Sequence, residues 1–134
     1  MRVLILAVLL LSASCAGRTG SRFPGMTMPS PDGCFVHVWD ALRFAGTPDF
    51  INGPRDYATL RDLPGGRLWN DRIRSATTGP VATVTFWTDE NFQGRRMTLA
   101  PDTEYGWLPE AIVGQTESMN ITCPAAPAIT SSLF

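Results

Sequence analysis

The chain has 134 residues, with 11 basic and 12 acidic side chains and a formal charge of −1. Every basic side chain is an arginine and they are scattered, so no basic stripe exists for a nucleic-acid backbone or for electrostatic docking on a bilayer. One histidine and three cysteines are too few for a four-ligand zinc site if two of the cysteines pair with each other.

Residues Met1 to Ser14 carry one basic residue, Arg2, followed by the apolar run Val3 to Leu11 and the small residues Ser12, Ala13 and Ser14. Nine apolar residues in a row fall short of the roughly 20 that span a bilayer, so residues 1–14 read as a secretory signal. Cys15 follows directly. A cysteine behind Ala13 and Ser14 resembles the bacterial lipoprotein signal, which implies a processed chain that begins on a lipid-modified Cys15. Ser12 stands where that pattern has leucine, with Leu11 displaced by one position. The other outcome is cleavage after Ser14 or Ala16, which releases a soluble secreted protein.

Cys34 and Cys123 bracket most of the remaining chain, and their pairing is the simplest disulfide for an exported protein. Cys15 is then left over, and acylation accounts for it. Residues 15–32 hold Gly, Pro and Ser without apolar periodicity and read as a flexible tether that carries a folded part away from a membrane surface. The folded part is expected over 33–124, and 125–134 as a poorly ordered tail rich in Ala, Ser and Pro.

Within the folded part the signals are those of an all-β protein. Cys34 to Trp39 and Val81 to Trp87 alternate, Arg95 to Leu99 is a shorter case, and Gly, Pro, Asn and Asp fall between. The phrase Trp-x4-Phe-x-Gly occurs twice, as Trp39, Phe44, Gly46 and as Trp87, Phe92, Gly94, with the copies 48 residues apart. Each copy is followed by a Leu-Pro pair, Leu63-Pro64 or Leu108-Pro109, and then by Ser75 or Ser118. A repeat of this length marks two copies of one supersecondary unit. Superposing the tryptophans matches Val36 and Val38 with Val84 and Phe86, which should all face the core, and turns His37 outward or to the rim. Asn52-Gly53 before Pro54 predicts a turn, because Asn and Gly both tolerate positive φ.

These residues resemble the βγ-crystallin Greek key pattern: an aromatic, six residues, a glycine, and a serine about thirty residues on. The serine lies 36 residues beyond Trp39 and 31 beyond Trp87. The segment Trp87 to Gly94 looks like the family's first hairpin, and Asn70 to Ser75 like the segment that closes a motif. The resemblance implies two Greek key motifs in one β-sandwich domain spanning nearly all of Gly33 to Cys123. It also implies structural roles for Trp39, Gly46 and Ser75 and for Trp87, Gly94 and Ser118. The hairpin folds back over the sheet, the ring supports it, the glycine permits the close approach, and the serine hydroxyl ties it down.

The family's calcium chemistry rests on the pattern Asn/Asp-Asn/Asp-x-x-Ser/Thr-Ser in each motif, because the ion needs six to eight oxygens. In the first copy Asn70, Asp71 and Ser75 match, but Arg74 replaces the ligating hydroxyl and brings a positive charge. In the second, Val113 and Gly114 replace the first pair and Glu117 the hydroxyl. Asn70, Asp71 and Glu117 are thus candidates for weak calcium binding only, and no cofactor is expected. Arg74 and Glu117 stand at equivalent positions with opposite charge, which suggests a salt bridge in place of the ions.

Catalysis has little to draw on. His37 sits on an alternating strand, and the carboxylate pairs Asp89-Glu90 and Asp102/Glu104 fall in turns, where nothing separates their pKa values. Trp69 and Trp107 have no counterpart in the other copy; core packing is the expectation for both, with a sugar or protein contact as the alternative. The leading reading is a non-catalytic structural or binding module on a bacterial envelope, meeting an envelope or extracellular partner and reaching the membrane through the lipid on Cys15. The alternatives are a calcium-responsive module and a small secreted peptidase inhibitor, whose exposed loop would be Asn52 to Arg55 or Asp62 to Arg67.

Overall fold

Alternating sequence puts one face of a strand toward an apolar interior, and the computed structural model, which describes residues Thr27–Ala125, shows eight strands. The expected signal, Cys15 with its lipid, residues 15–26 of the tether and residues 126–134 of the tail lie outside the described residues. The strands are β1 (Phe35–Trp39), β2 (Pro48–Asn52), β3 (Arg55–Tyr57), β4 (Ser75–Thr78), β5 (Thr83–Asp89), β6 (Gln93–Leu99), β7 (Glu104–Tyr105) and β8 (Ser118–Thr122). They form two antiparallel four-stranded sheets in the orders β2-β1-β4-β7 and β3-β8-β5-β6.

The two orders are the same path traced twice. Strands β1, β2 and β4 of the first copy share a sheet with β7 of the second, while β5, β6 and β8 share theirs with β3 of the first. Each copy lends one strand to the other's sheet, so neither closes a sandwich alone.

The core lies between the sheets. Val36, Val38, Val84 and Phe86 are fully buried there as the alternation predicts, joined by Ile51, Leu99, Met119 and Ile121 from neighbouring strands. Leu60, Leu63, Trp69, Ile73, Leu108 and Ile112 fill the same interior from the long connections. Cys34, just before β1, is bonded to Cys123, just after β8, so the bridge ties one sheet to the other.

Two local expectations change. Gly53 and Pro54 do make the turn between β2 and β3, but neither Asn52 nor Gly53 adopts positive φ. The turn carries a cis Gly53–Pro54 peptide, and the glycine is needed because an added Cβ would collide with Ile121. The end of the expected tether is also engaged with β2. Ser30 N–H donates to Asn52 Oδ1 (2.8 Å) and Asn52 Nδ2 donates to the Met28 carbonyl (2.8 Å).

Candidate functional site

The hairpins that follow β1 and β5 are built alike. Trp39 and Phe44 meet edge to face at 5.0 Å, and Trp87 and Phe92 at 5.2 Å. Phe44 N–H donates to Ser75 Oγ (3.0 Å), which itself donates to the Ala41 carbonyl (2.6 Å). In the second copy Phe92 N–H donates to Ser118 Oγ (3.1 Å), and that hydroxyl donates to the Asp89 carbonyl (2.6 Å). Gly46 and Gly94 have φ of +79° and +83°, and a Cβ on either would run into Asp40 Oδ1 or Thr88 Oγ1. One feature escaped the sequence reading. Phe44 and Phe92, with Arg43 and Asn91 before them, sit at φ between 56° and 60°, a region bulky residues avoid.

The calcium-type segments interlock about the pseudo-twofold: Asp71 N–H donates to the Thr116 carbonyl (3.0 Å) and Gly114 N–H to the Ile73 carbonyl (2.8 Å). Asp71 and Glu117 line one open cleft of about 470 Å³, together with Thr88, Asp89, Arg95 and Gln115. Asn70 is not part of that lining; its Nδ2 donates to Asp71 Oδ2 (2.9 Å). At the equivalent position of the other copy the Arg74 guanidinium lies on Gly114, where an added Cβ would come within 3.1 Å of Nη1. A cation does not fit there. Among the described residues no three His, Cys, Asp or Glu side chains converge as a metal site would require. The expected Arg74–Glu117 salt bridge is not formed; the guanidinium lies over Gly114 of the second copy instead.

A buried charge cluster was not foreseen. Asp49 on β2 is 4% exposed and accepts from Trp69 Nε1 (2.8 Å), from Phe50 N–H (2.9 Å) and from Arg67 Nη1. Arg67 also donates to the carbonyls of Phe50 (3.0 Å) and Pro64 (2.9 Å), which pins the Leu63–Arg67 loop to β2. Trp69 is therefore a core residue, as expected, with its polar edge satisfied. Trp107 is not, at 59% exposure. Arg43 stacks on its indole at 4.4 Å, and Leu42 beside Arg43 is exposed as well.

The outer faces of the two sheets differ. On β1 and β2, His37 lies stacked between Trp39 (3.7 Å) and Phe50 (4.0 Å), and Phe35 packs edge-on against Phe50 (5.5 Å). Burial among these rings holds the His37 pKa below its ordinary value, against the pull of Asp49. The repeat places Thr83, Thr85 and Thr98 where Phe35, His37 and Phe50 stand. The aromatic face was readable in part: if Val36 and Val38 point inward, Phe35, His37 and Trp39 must point out.

No family model matches the chain, and no curated protein does. Solved structures do. A βγ-crystallin structure from work on the evolution of the eye-lens domain fold shares 19% identity at a TM-score of 0.62, over 75% of this chain and 96% of that one. A βγ-crystallin domain from Clostridium beijerinckii shares 23% identity at a TM-score of 0.57, over 65% and 95%. A third, from Flavobacterium johnsoniae, shares 18% at 0.58, over 68% and 97%. The chain's two four-stranded antiparallel sheets, exchanged between its two Greek keys, match these structures: its fold is that of the βγ-crystallin domain.

Proposed function

We propose that the chain is a non-catalytic binding module, exported and held at a bacterial envelope through a lipid on Cys15, with the outer face of β2-β1-β4-β7 as its contact surface. The observation that carries this reading is the inequality of the two faces. The repeat supplies an internal reference: the fold tolerates threonine at the places where Phe35, His37 and Phe50 stand, so packing alone does not call for aromatics there. The same contrast holds at the rim, where Trp107 corresponds to Thr59 and Leu42 to Glu90. Thr59 and Glu90 are joined by a hydrogen bond (2.9 Å), whereas Trp107 and Leu42 are turned to solvent.

The test is co-sedimentation of the purified full chain with envelope fragments, comparing wild type with Phe50→Thr and Trp107→Ala. Retention should drop in both variants; unchanged retention in both would defeat the reading. Mass spectrometry of the mature N-terminus tests the anchor, with diacylglycerol on Cys15 as the expected result and an unmodified N-terminus beyond Cys15 as the contrary one.

The cleft shared by Asp71 and Glu117 favours a second reading as a calcium-responsive module, against which stands the guanidinium in the partner position. Calorimetry should give an affinity no tighter than about 10⁻⁴ M, the tight edge of the weak extracellular range. As for peptidase inhibition, the Leu63–Arg67 loop is braced, but its tip, Gly65 and Gly66, has φ of +86° and +73°. That tight turn is unlike the extended backbone that pairs with a sheet edge.

A further inference from the structure

We propose that the cleft on the outer face of β2-β1-β4-β7, where Phe35, His37 and Phe50 stand opposite Thr77, Asp102 and Glu104, binds an uncharged saccharide. This deepens the reading of the chain as a binding module and rests on it. The cleft is open and measures about 510 Å³, within the roughly 300–1,000 Å³ of small-ligand sites. Strand register sets its walls: Phe50 lies opposite His37, His37 opposite Thr77, and Thr77 opposite Glu104, so one row across the sheet runs from apolar to acidic.

The equivalent row on the other sheet is Thr98, Thr85, Asn120 and Asp56. There the polar groups satisfy one another: the Thr85 and Thr98 hydroxyls share a hydrogen bond (3.2 Å), and Asn120 Nδ2 donates to Asp56 Oδ1. In the cleft, by contrast, the side chains of Thr77, Asp102 and Glu104 make no hydrogen bond among the described residues.

Charge narrows the ligand. The lining holds two carboxylates and no arginine, which disfavours an anion. A metal ion needs several converging oxygens, and among the described residues Asp102 and Glu104 meet no third acidic, histidine or cysteine ligand. An uncharged sugar meets both walls. Its C–H surface lies against the rings, and its hydroxyls donate to the acceptor-only carboxylates and exchange a bond with Thr77.

The experiment is titration calorimetry of the full chain with cellohexaose, maltohexaose and chitohexaose, and with oligogalacturonate as the anionic control. At least one neutral oligosaccharide should bind, and Phe50→Thr and Glu104→Gln should each weaken it by about tenfold. Thr98→Ala on the opposite sheet should leave the affinity unchanged. Glu104 is exposed, so Glu104→Gln keeps the melting temperature and its loss of binding cannot be ascribed to unfolding. No heat with any neutral sugar at about 10 mM, equal affinity in both variants, or tighter binding of oligogalacturonate would overturn the proposal. If envelope retention still depends on Phe50 while no sugar binds, the module is a binder of something else; if neither occurs, both readings fall.

Discussion

Ser75 and Phe44, 31 residues apart in sequence, are joined by a hydrogen bond from the Phe44 amide to the serine hydroxyl at 3.0 Å. Phe44 sits at φ +60°, a conformation that costs a bulky residue about 1–3 kcal/mol unless its surroundings enforce it. The serine is part of that enforcement, since the same hydroxyl holds the Ala41 carbonyl on the other side of the turn.

Ser75→Ala should therefore destabilise by about 1–3 kcal/mol, as should Ser118→Ala in the second copy. For a domain of this size that is roughly 4–8 °C in Tm per kcal/mol. Thermal melts check it, and the two variants should behave alike because the two latches do.

His37 makes stability depend on pH. Its folded pKa is lowered by burial, so the unfolded chain takes up the proton first as pH falls. Stability is full above the unfolded value of about 6.5 and is lost as pH drops toward the folded value. His37→Phe should flatten this part of the profile, as followed by denaturant midpoints between about pH 7 and pH 5.

Asp49 neutralises Arg67 in a setting where the two side chains are 5% and 11% exposed. Asp49→Ala leaves that cation and the Trp69 indole N–H without their partner, and should cost about 3–5 kcal/mol. Replacing both charges, as Asp49→Leu with Arg67→Met, should recover much of that loss in urea unfolding. A double variant as unstable as the single one would contradict the assignment.

The Cys34–Cys123 bridge closes 89 residues, which in the chain-entropy picture corresponds to roughly 4–5 kcal/mol. Reduction should lower the denaturant midpoint by a corresponding amount. The double variant Cys34→Ala/Cys123→Ala should match the reduced protein.

What the sequence disclosed follows from what repeats. The doubled Trp, Phe, Gly and Ser positions reveal both hairpins and their latches, because those contacts are local to each copy and carried by side chains with few substitutes. Strands β2, β3, β4, β7 and β8 were harder to see. Asp49 is buried on β2 because Arg67 and Trp69 come from elsewhere in the chain to satisfy it. Long-range compensation of that kind leaves no local signature. The same holds for Arg74, whose charge suggested a partner at Glu117 but whose guanidinium lies over Gly114 of the other copy. Trp107 went the other way: an aromatic expected inside is outside, because its place in the second copy falls on the rim that Thr59 occupies in the first.

The Cα atoms of Cys34 and Cys123 are 6.0 Å apart, so the chain enters and leaves the sandwich at one point. A pull between the N-terminal and C-terminal flanks then passes through a covalent link and bypasses the chain between the two cysteines. Such a pull loads the disulfide and leaves the strands of both sheets unstretched.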